Sequence, residues 1–213
     1  MLANWGALPA HVRVFVSLCV ALEAFASSGY LIGAADSVRH AMTTLGGFWP
    51  RLLSDAPPLY AGQSIVMFAT SAFLHGGPLH LFMNMFALMW LGPVVVNRLG
   101  EQAFWPIAGL SALGAGGLFA MLSTSSVPMV GASGVLFGLI GAIATWELLD
   151  RLDRGQDLKP IIEQALVFAA LNVALTLMSG MIAWQAHAGG LIAGVICGIL
   201  TWSRKSRSKL EQI

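Results

Sequence analysis

Long apolar segments separated by short polar ones make up most of the chain. Six of these segments approach the roughly 20 residues that a helix needs to cross a bilayer. A proline stands at or just before the start of two of them, where its missing N–H costs no hydrogen bond. The pattern predicts an all-α membrane protein with a bundle of six transmembrane helices, at about residues 11–33, 79–96, 103–122, 131–149, 160–178 and 186–203.

The connection between the first two predicted helices is much longer than the others. It mixes apolar and aromatic residues, such as Phe48-Trp49-Pro50, with charged residues such as Arg39 and Asp55. Such a mixture is typical of a segment that lies at the membrane interface. A solvated loop is the alternative interpretation. The sequence therefore predicts a six-helix bundle with a long interfacial first loop.

The composition agrees with a location in the membrane. Hydrophobic residues make up 57% of the 213 residues and charged residues only 10%, which is too few charges to cover a soluble globular protein of this size. The formal net charge of +1 provides no basic field for nucleic acid. Because most connections are short, we expect a single domain over residues 1–213, with a core at about 11–203 and a basic cytoplasmic tail at 204–213.

The two cysteines of the chain, Cys19 and Cys197, both lie inside apolar segments. Buried free cysteines usually serve as small packing residues. Two of them in these positions indicate neither a disulfide framework nor a metal site.

Basic residues predict the orientation of the helices. If both termini face the cytoplasm, nine basic residues lie on the inner side and two on the outer side, which is a clear positive-inside bias. An even number of spans also requires both termini on one side. We therefore expect a multi-pass protein with cytoplasmic termini, with Arg39 and Arg51 outside and with these residues inside: Arg13, Arg98, Arg151, Arg154, Lys159, Arg204, Lys205, Arg207 and Lys209.

Three predicted helices place polar residues near one membrane depth. In this topology the second, fourth and sixth helices all begin at the outer side. There the second carries His80 and Asn84, the fourth carries Ser133 and the sixth carries His187. Polar groups inside a membrane are costly and mark functional sites. A hydroxyl and an imidazole at one depth suggest a nucleophile and its base in a cavity open to the outside.

The position of Ser133 at a helix start suits acyl-transfer chemistry. The first N–H groups of a helix lack partners within the helix, and the helix dipole favours negative charge there. An oxyanion beside Ser133 would therefore find donors. His80 and Asn84 are four residues apart, so they share a helix face from which both can donate hydrogen bonds. His187 would accept the Ser133 proton and deliver it to the leaving amine.

No aspartate or glutamate is expected at this depth, which indicates a Ser133/His187 dyad and not a triad. Packing must then orient His187, and Phe137, one turn after Ser133, can stack on its ring. Small residues at regular spacing let two membrane helices approach closely. We therefore expect the fourth and sixth helices to be neighbours, in contact through Gly134, Gly138 and Gly141 on one and Ala186, Gly190, Gly194 and Gly198 on the other.

Each of these residues also has a purely structural interpretation. A segment such as Gly131-Ala-Ser133-Gly134 is a common packing motif in membrane helices, and a lone intramembrane histidine can be a core residue with its hydrogen bonds satisfied. Asn172 in the fifth helix is interpreted as an interhelical hydrogen-bonding residue. His75 is interpreted as a loop residue that positions the second helix. The joint pattern, and not any single residue, favours a catalytic site.

Three motifs together resemble the signatures of a known family. They are His80-Leu-Phe-Met-Asn84, Gly131-Ala-Ser133-Gly134 and Ala186-His187-Ala-Gly-Gly190-Leu-Ile-Ala-Gly194. In their order and in their helix positions they are similar to the motifs of rhomboid intramembrane serine proteases. The resemblance extends from about Thr70 to Trp202.

The resemblance implies a rhomboid-like six-helix fold in which Ser133 is the nucleophile and His187 the base. It implies an oxyanion hole made of His80, Asn84 and the Ser133 backbone N–H, with no cofactor and no metal. The substrates would be single-span transmembrane proteins in the lipid bilayer of a bacterial inner membrane, cut near the outer end of their transmembrane segments. A loop at about residues 178–185 would cover the site, and the substrate helix would have to unwind to expose its scissile carbonyl.

Two departures from the family pattern and three competing functions stand beside this interpretation. Members often have a Trp-Arg pair in the first loop, where this chain has Trp49-Pro50-Arg51, and tyrosine where it has Phe137.

One alternative function is that of a catalytically silent rhomboid-like protein that binds membrane helices. Another is a channel or transporter, but the inner halves of the fourth and sixth helices carry Gly, Ala, Leu and Ile and not a polar path. A metalloprotease would need a His-Glu-x-x-His motif, which the sequence lacks.

Overall fold

The computed structural model of the chain describes residues 5–29, 33–179 and 183–202. These residues form eight α-helices, with short 3₁₀ turns between some of them and one antiparallel bridge between Phe48 and Met129. The all-α class predicted from the apolar pattern is confirmed. The helices are α1 (Ala10–Ser28), α2 (Ala35–Gly46), α3 (Gln63–Thr70), α4 (Pro78–Leu99), α5 (Phe104–Leu122), α6 (Ser133–Arg154), α7 (Lys159–Ser179) and α8 (Trp184–Thr201).

Six of these helices are 18 to 22 residues long, and each overlaps one of the six predicted segments, with ends that differ from the predicted ones by up to five residues: α1, α4, α5, α6, α7 and α8. By length and composition, four are apolar enough to cross a membrane, namely α1, α4, α8, and α5 together with the turn before it (Glu101–Leu122). The chain is thus a multi-pass membrane protein. The number of six spans stays a prediction. The predicted basic tail at 204–213 and residues 180–182 of the predicted covering loop lie outside the described residues.

Helix α6 lies between α4, α5 and α8 and makes its most extensive contacts with α8. Glycines allow this close approach. A methyl group on Gly190 would collide with the carbonyl oxygen of Gly134, and one on Gly194 would collide with that of Gly138. The prediction that small residues make these two helices neighbours is confirmed.

Helices α4, α6 and α8 run in the same direction. Ser133, the first residue of α6, meets His187 in the first turn of α8. Asp150, near the end of α6, bonds Arg98 near the end of α4 and Trp202 just after α8. The three helices therefore bring their first turns to the same end of the bundle, as the predicted topology requires. Which side of the membrane this end faces stays a prediction.

The connection between α1 and α4 is folded into short helices and turns. It contains α2, α3 and two 3₁₀ turns, and it buries Phe48 completely. The Phe48 ring packs edge-on against Phe68 and Phe119, with centroids 4.7 and 6.1 Å away. Trp49 donates its Nε1–H to a backbone carbonyl of α2, while Arg51 is exposed. A position of this segment at the membrane interface stays a prediction.

This first loop also holds the segment that leads into α6. Phe48 and Met129 exchange two backbone hydrogen bonds, of 2.9 and 3.0 Å. The N–H of Gly131 donates to the carbonyl oxygen of Ser71 at 2.9 Å. Backbone bonds from the first loop therefore determine where Ser133 enters its helix.

Candidate active site

Ser133 and His187 lie in hydrogen-bond contact. The Ser133 Oγ and His187 Nε2 atoms are 2.9 Å apart, an ordinary hydrogen-bond distance. Both residues are half-buried. The predicted contact between these two side chains is confirmed. The hydroxyl is thus placed where it can give its proton to the imidazole.

Phe137 determines the plane of the His187 ring. The two ring centroids are 4.2 Å apart and the ring planes differ by 9°. Phe137 lies one turn after Ser133 on α6, so the same helix provides the hydroxyl and the stacking surface. The predicted stacking is confirmed.

Asn172 of α7 bonds the second ring nitrogen of His187. Its Oδ1 atom lies 2.8 Å from His187 Nδ1. With an amide oxygen on this side, Nδ1 carries the proton and donates it, so Nε2 presents a lone pair to Ser133. The interpretation of Asn172 as an interhelical hydrogen-bonding residue is confirmed. The expectation that packing alone orients His187 was therefore incomplete. The sequence signals this contact only weakly, through the polarity of Asn172 within an apolar helix.

His80, in the first turn of α4, packs against Gly131, two residues before Ser133. Gly131 has a φ of +131°, a conformation that favours glycine. A Cβ atom on Gly131 would lie 2.8 Å from His80 Cε1, 3.0 Å from His80 Nε2 and 3.8 Å from Ser133 Oγ. Because 2.8 Å is too short for a Cβ contact, the glycine lets the His80 ring approach the backbone this closely. The edge of the ring that carries Nε2 therefore faces Gly131, close to Ser133.

Asn84 lies one turn further along α4 and is buried. Its Nδ2 donates to the carbonyl oxygen of His80 at 2.8 Å, which leaves its second amide hydrogen for another acceptor. The structure thus gathers Ser133, His187 and His80 into one cluster, and Asn84 adjoins this cluster through His80. The catalytic roles of all four residues stay predictions.

His75, interpreted from the sequence as a positioning residue, is buried beside His80. The two rings are 5.2 Å apart and steeply inclined to each other. Burial, and to a smaller extent the neighbouring His80, lowers the pKa of His75 to about 4. The His75 ring is therefore neutral at neutral pH and adds no charge to the site.

The described residues contain no group of three histidine, cysteine, aspartate or glutamate side chains that could hold a metal ion. Cys19 and Cys197 are both free and buried, as expected of packing residues. The buried carboxylate of Glu23 is paired with Arg39, at 2.7 Å. The side chains that the site brings together are a hydroxyl, two imidazoles and two amides.

Known proteins match large or smaller parts of this chain. A model of the Rhomboid domain matches residues 62–204. RHOMBOID-like protein 4 of Arabidopsis thaliana is 27% identical over 171 residues, which are 80% of this chain and 41% of that protein. Rhomboid-like protease 1 of Toxoplasma gondii is 30% identical over 154 residues, 69% of this chain and 50% of that protein. Inactive RHOMBOID-like protein 8 of Arabidopsis thaliana is 36% identical over 74 residues, 35% of this chain and 21% of that protein.

The matched stretches cover half or less of each of these relatives. The domain match itself covers more than half of this chain and contains the four predicted site residues together with Asn172. The structure of this region is a helix bundle with a hydroxyl and an imidazole in contact at one end. On this match, the chain belongs to the rhomboid family.

Proposed function

We propose that the protein is an intramembrane serine endopeptidase that cleaves transmembrane segments of membrane proteins near their outer end. The observation that carries this proposal is the 2.9 Å contact between Ser133 Oγ and His187 Nε2. A serine hydroxyl alone is a weak nucleophile, and an adjacent imidazole base activates it. Membership of the rhomboid family supports the same class of chemistry.

In the first half of the reaction, Ser133 Oγ attacks the carbonyl carbon of the scissile peptide bond while His187 Nε2 accepts the hydroxyl proton. Asn172 Oδ1 accepts a hydrogen bond from His187 Nδ1 and keeps the ring in the tautomer that can take up this proton. The tetrahedral intermediate then collapses. His187 donates the proton to the leaving amine as the C–N bond breaks, and an acyl ester remains on Ser133.

In the second half, a water molecule attacks the ester carbonyl and His187 Nε2 accepts a proton from it. The ester C–O bond breaks as this proton passes to Ser133 Oγ. The new carboxyl end of the substrate leaves, and both side chains return to their starting state. His187 therefore serves as base and acid in each half of the reaction.

The negative charge that develops on the carbonyl oxygen requires donors. His80 Nε2 faces Gly131, close to Ser133, the Ser133 N–H lies at a helix start where such groups lack partners, and Asn84 has a second amide hydrogen. We assign these groups to the oxyanion hole. In other acyl-transfer enzymes the loss of one such donor lowers kcat by about 10²- to 10³-fold.

Single-span membrane proteins in the lipid bilayer are the proposed substrates. His80 and His187 lie on α4 and α8, which are apolar enough to cross a bilayer, so we expect the segment that reaches Ser133 to enter the membrane. A helical segment must unwind there before its carbonyl is accessible. The nine-to-two distribution of basic residues supports six spans with both termini in the cytoplasm, and we place the protein in a bacterial inner membrane.

A second candidate is a catalytically silent rhomboid-like protein that binds membrane helices. One of the matched relatives is named as inactive, which supports this candidate. The contact between Ser133 and His187 favours the protease, because helix binding alone requires neither a nucleophile nor a base.

Cleavage of a reconstituted transmembrane substrate separates the two candidates. We expect product from the wild-type protein and none from Ser133→Ala. Ser111→Ala is the matched control, because Ser111 is a buried serine of α5 whose hydroxyl donates to the Ile107 carbonyl. A fluorophosphonate probe should label Ser133 and should fail to label His187→Ala. Cleavage by Ser133→Ala at the wild-type rate would contradict the proposed function.

A further inference from the structure

A buried ion pair joins α1 to α2 near the candidate site. The Arg39 guanidinium of α2 donates to both carboxylate oxygens of Glu23 in α1, at 2.9 and 2.7 Å, and to the Ser27 hydroxyl at 3.2 Å. The Glu23 side chain is 5% exposed and that of Arg39 is 18% exposed. This pair ties the first loop to α1.

The same guanidinium holds a peptide bond in front of His80. Arg39 Nη1 also donates to the carbonyl oxygen of His75, at 2.8 Å. The N–H of that peptide unit belongs to Gly76, and it donates to His80 Nδ1 at 3.3 Å. A trans peptide is planar, and its C=O and N–H point in opposite directions. Arg39 therefore determines the direction of the N–H by binding the carbonyl.

This N–H decides which nitrogen of His80 carries its proton. A neutral imidazole has one donor and one acceptor nitrogen. An N–H aimed at Nδ1 makes Nδ1 the acceptor and leaves the proton on Nε2. The Nε2 atom faces Gly131, since a Cβ added there would lie 3.0 Å from it and 3.8 Å from Ser133 Oγ. The tautomer favoured by Gly76 thus turns a donor toward the side of the ring on which Ser133 lies.

We propose that the Glu23–Arg39 pair orients the His75–Gly76 peptide and thereby keeps His80 in the tautomer that is protonated on Nε2. The proposal rests on the proposed function, in which His80 donates to the oxyanion. The pair is a positioning device, since it acts through His80 and not on the substrate. Ser133 then has near it two imidazoles in opposite tautomers. The Nε2 atom of His187 accepts a proton, and the Nε2 atom of His80 donates a hydrogen bond.

Removal of both charges tests this proposal without leaving an unpaired charge in the protein. We expect Glu23→Gln/Arg39→Gln to lower kcat about tenfold with little change in KM, because oxyanion stabilisation acts in the transition state. Arg51→Gln is the control. It removes an exposed cation from the same loop and is expected to keep the wild-type kcat.

A His80→Ala background shows whether the pair acts through the imidazole. There the double substitution should lower kcat no further, because no imidazole is left to orient and coupled residues are not additive. An equal loss of kcat with and without His80 would indicate a general structural role for Glu23 and Arg39. That result would overturn the proposal.

The tautomer itself can be measured without any cleavage. In full-length Ser133→Ala protein with ¹⁵N-labelled histidine in micelles, nitrogen chemical shifts distinguish protonated from unprotonated ring nitrogens, and His80→Gln identifies the His80 signals. We expect a protonated Nε2 and an unprotonated Nδ1 on His80. Glu23→Gln/Arg39→Gln should convert this signal to a mixture of tautomers. Unchanged His80 shifts in the double variant would refute the positioning role.

A second variant covers the case in which the double variant does not fold. Arg39→Lys keeps a cation opposite Glu23, but an ammonium has no planar fork with which to bind Glu23 and the His75 carbonyl together. The same mixture of His80 tautomers is expected, and unchanged shifts would again refute the role. Cleavage by Ser133→Ala would refute the proposed function and leave the tautomer result standing.

Discussion

The two ends of the bundle formed by α4, α6 and α8 both contain buried polar groups, yet they are built differently. Where the helices end, Arg98 and Asp150 form a bidentate ion pair, with N–O distances of 2.9 and 3.1 Å. Trp202 donates to the same carboxylate at 2.8 Å, and the guanidinium lies 5.1 Å from the Trp146 ring centroid. The two charges, the aromatic ring and the hydrogen-bond partners at this end all belong to residues of the chain. Because these residues lie on or next to α4, α6 and α8, their contacts hold the three helices together.

The end at which the helices begin gathers a hydroxyl and two imidazoles instead. Ser133 and His187 share one hydrogen bond, and His80 lies nearby against Gly131. Burial of polar groups therefore does not by itself indicate function in this bundle. The difference lies in the kind of polar group: the Arg98 end holds a pair of opposite charges that bind each other, whereas the Ser133 end holds groups that can pass a proton from one to another.

The largest expected effect concerns stability at the Arg98 end. Arg98→Met leaves the mostly buried Asp150 carboxylate without its cation, which typically costs about 3–5 kcal/mol. We expect a lower free energy of unfolding in micelles and an unchanged kcat for the protein that stays folded. Arg98→Met/Asp150→Leu removes both charges and should recover most of the loss. A fall in kcat at full stability would contradict the assignment of this end as a structural clamp.

The next effect concerns the contact between Gly131 and His80 at the Ser133 end. Gly131→Ala places a methyl group 2.8 Å from the His80 ring, which must then shift, and strains the backbone at a φ of +131°. We expect kcat to fall by about 10²- to 10³-fold, as for the loss of an oxyanion donor. Gly109→Ala is the control, because a Cβ on this α5 glycine meets nothing within 4 Å. A wild-type kcat for Gly131→Ala would show that catalysis does not depend on the position of His80 against Gly131.

A smaller effect is expected at Asn172. In Asn172→Leu the His187 ring loses its acceptor and can adopt the wrong tautomer, so we expect kcat to fall about tenfold. Asn172→Asp keeps an acceptor at the same place and should retain more activity. Steady-state kinetics on the reconstituted substrate measure both variants. Wild-type activity in Asn172→Leu would mean that stacking on Phe137 is sufficient to orient the ring.

The smallest effect is a pH dependence of stability that arises from His75. Its pKa in the folded protein is lowered to about 4 by burial, whereas an unfolded histidine titrates near 6.5. Between these values the unfolded chain binds a proton that the folded chain does not, so stability falls as the pH falls. From pH 6.5 to 5.5 we expect His75 to contribute a loss of about 1 kcal/mol.

Unfolding in micelles at these two pH values measures the effect. His75→Gln should lack the contribution of His75, and the difference between the two proteins isolates it from the other histidines. Equal pH dependence in both proteins would show that His75 takes up its proton in the folded state as readily as in the unfolded one.

The sequence by itself determined the helical class, the places of the six long helices and the pairing of Ser133 with His187. These features depend on local properties. The length of an apolar segment predicts a helix, and small residues at regular spacing identify α6 and α8 as neighbours. The stacking of Phe137 on His187 followed in the same way, because one turn of one helix separates Phe137 from Ser133.

Only the tertiary structure decided which polar residues surround the two histidines. The rotation of α7 about its axis places Asn172 against His187, and an almost uniformly apolar helix carries no periodic pattern that reveals this rotation. The path of the first loop brings Arg39 to Glu23 and to the His75 carbonyl. Such a path depends on contacts between residues far apart in the chain, since no local spacing relates a loop arginine to a peptide 36 residues later.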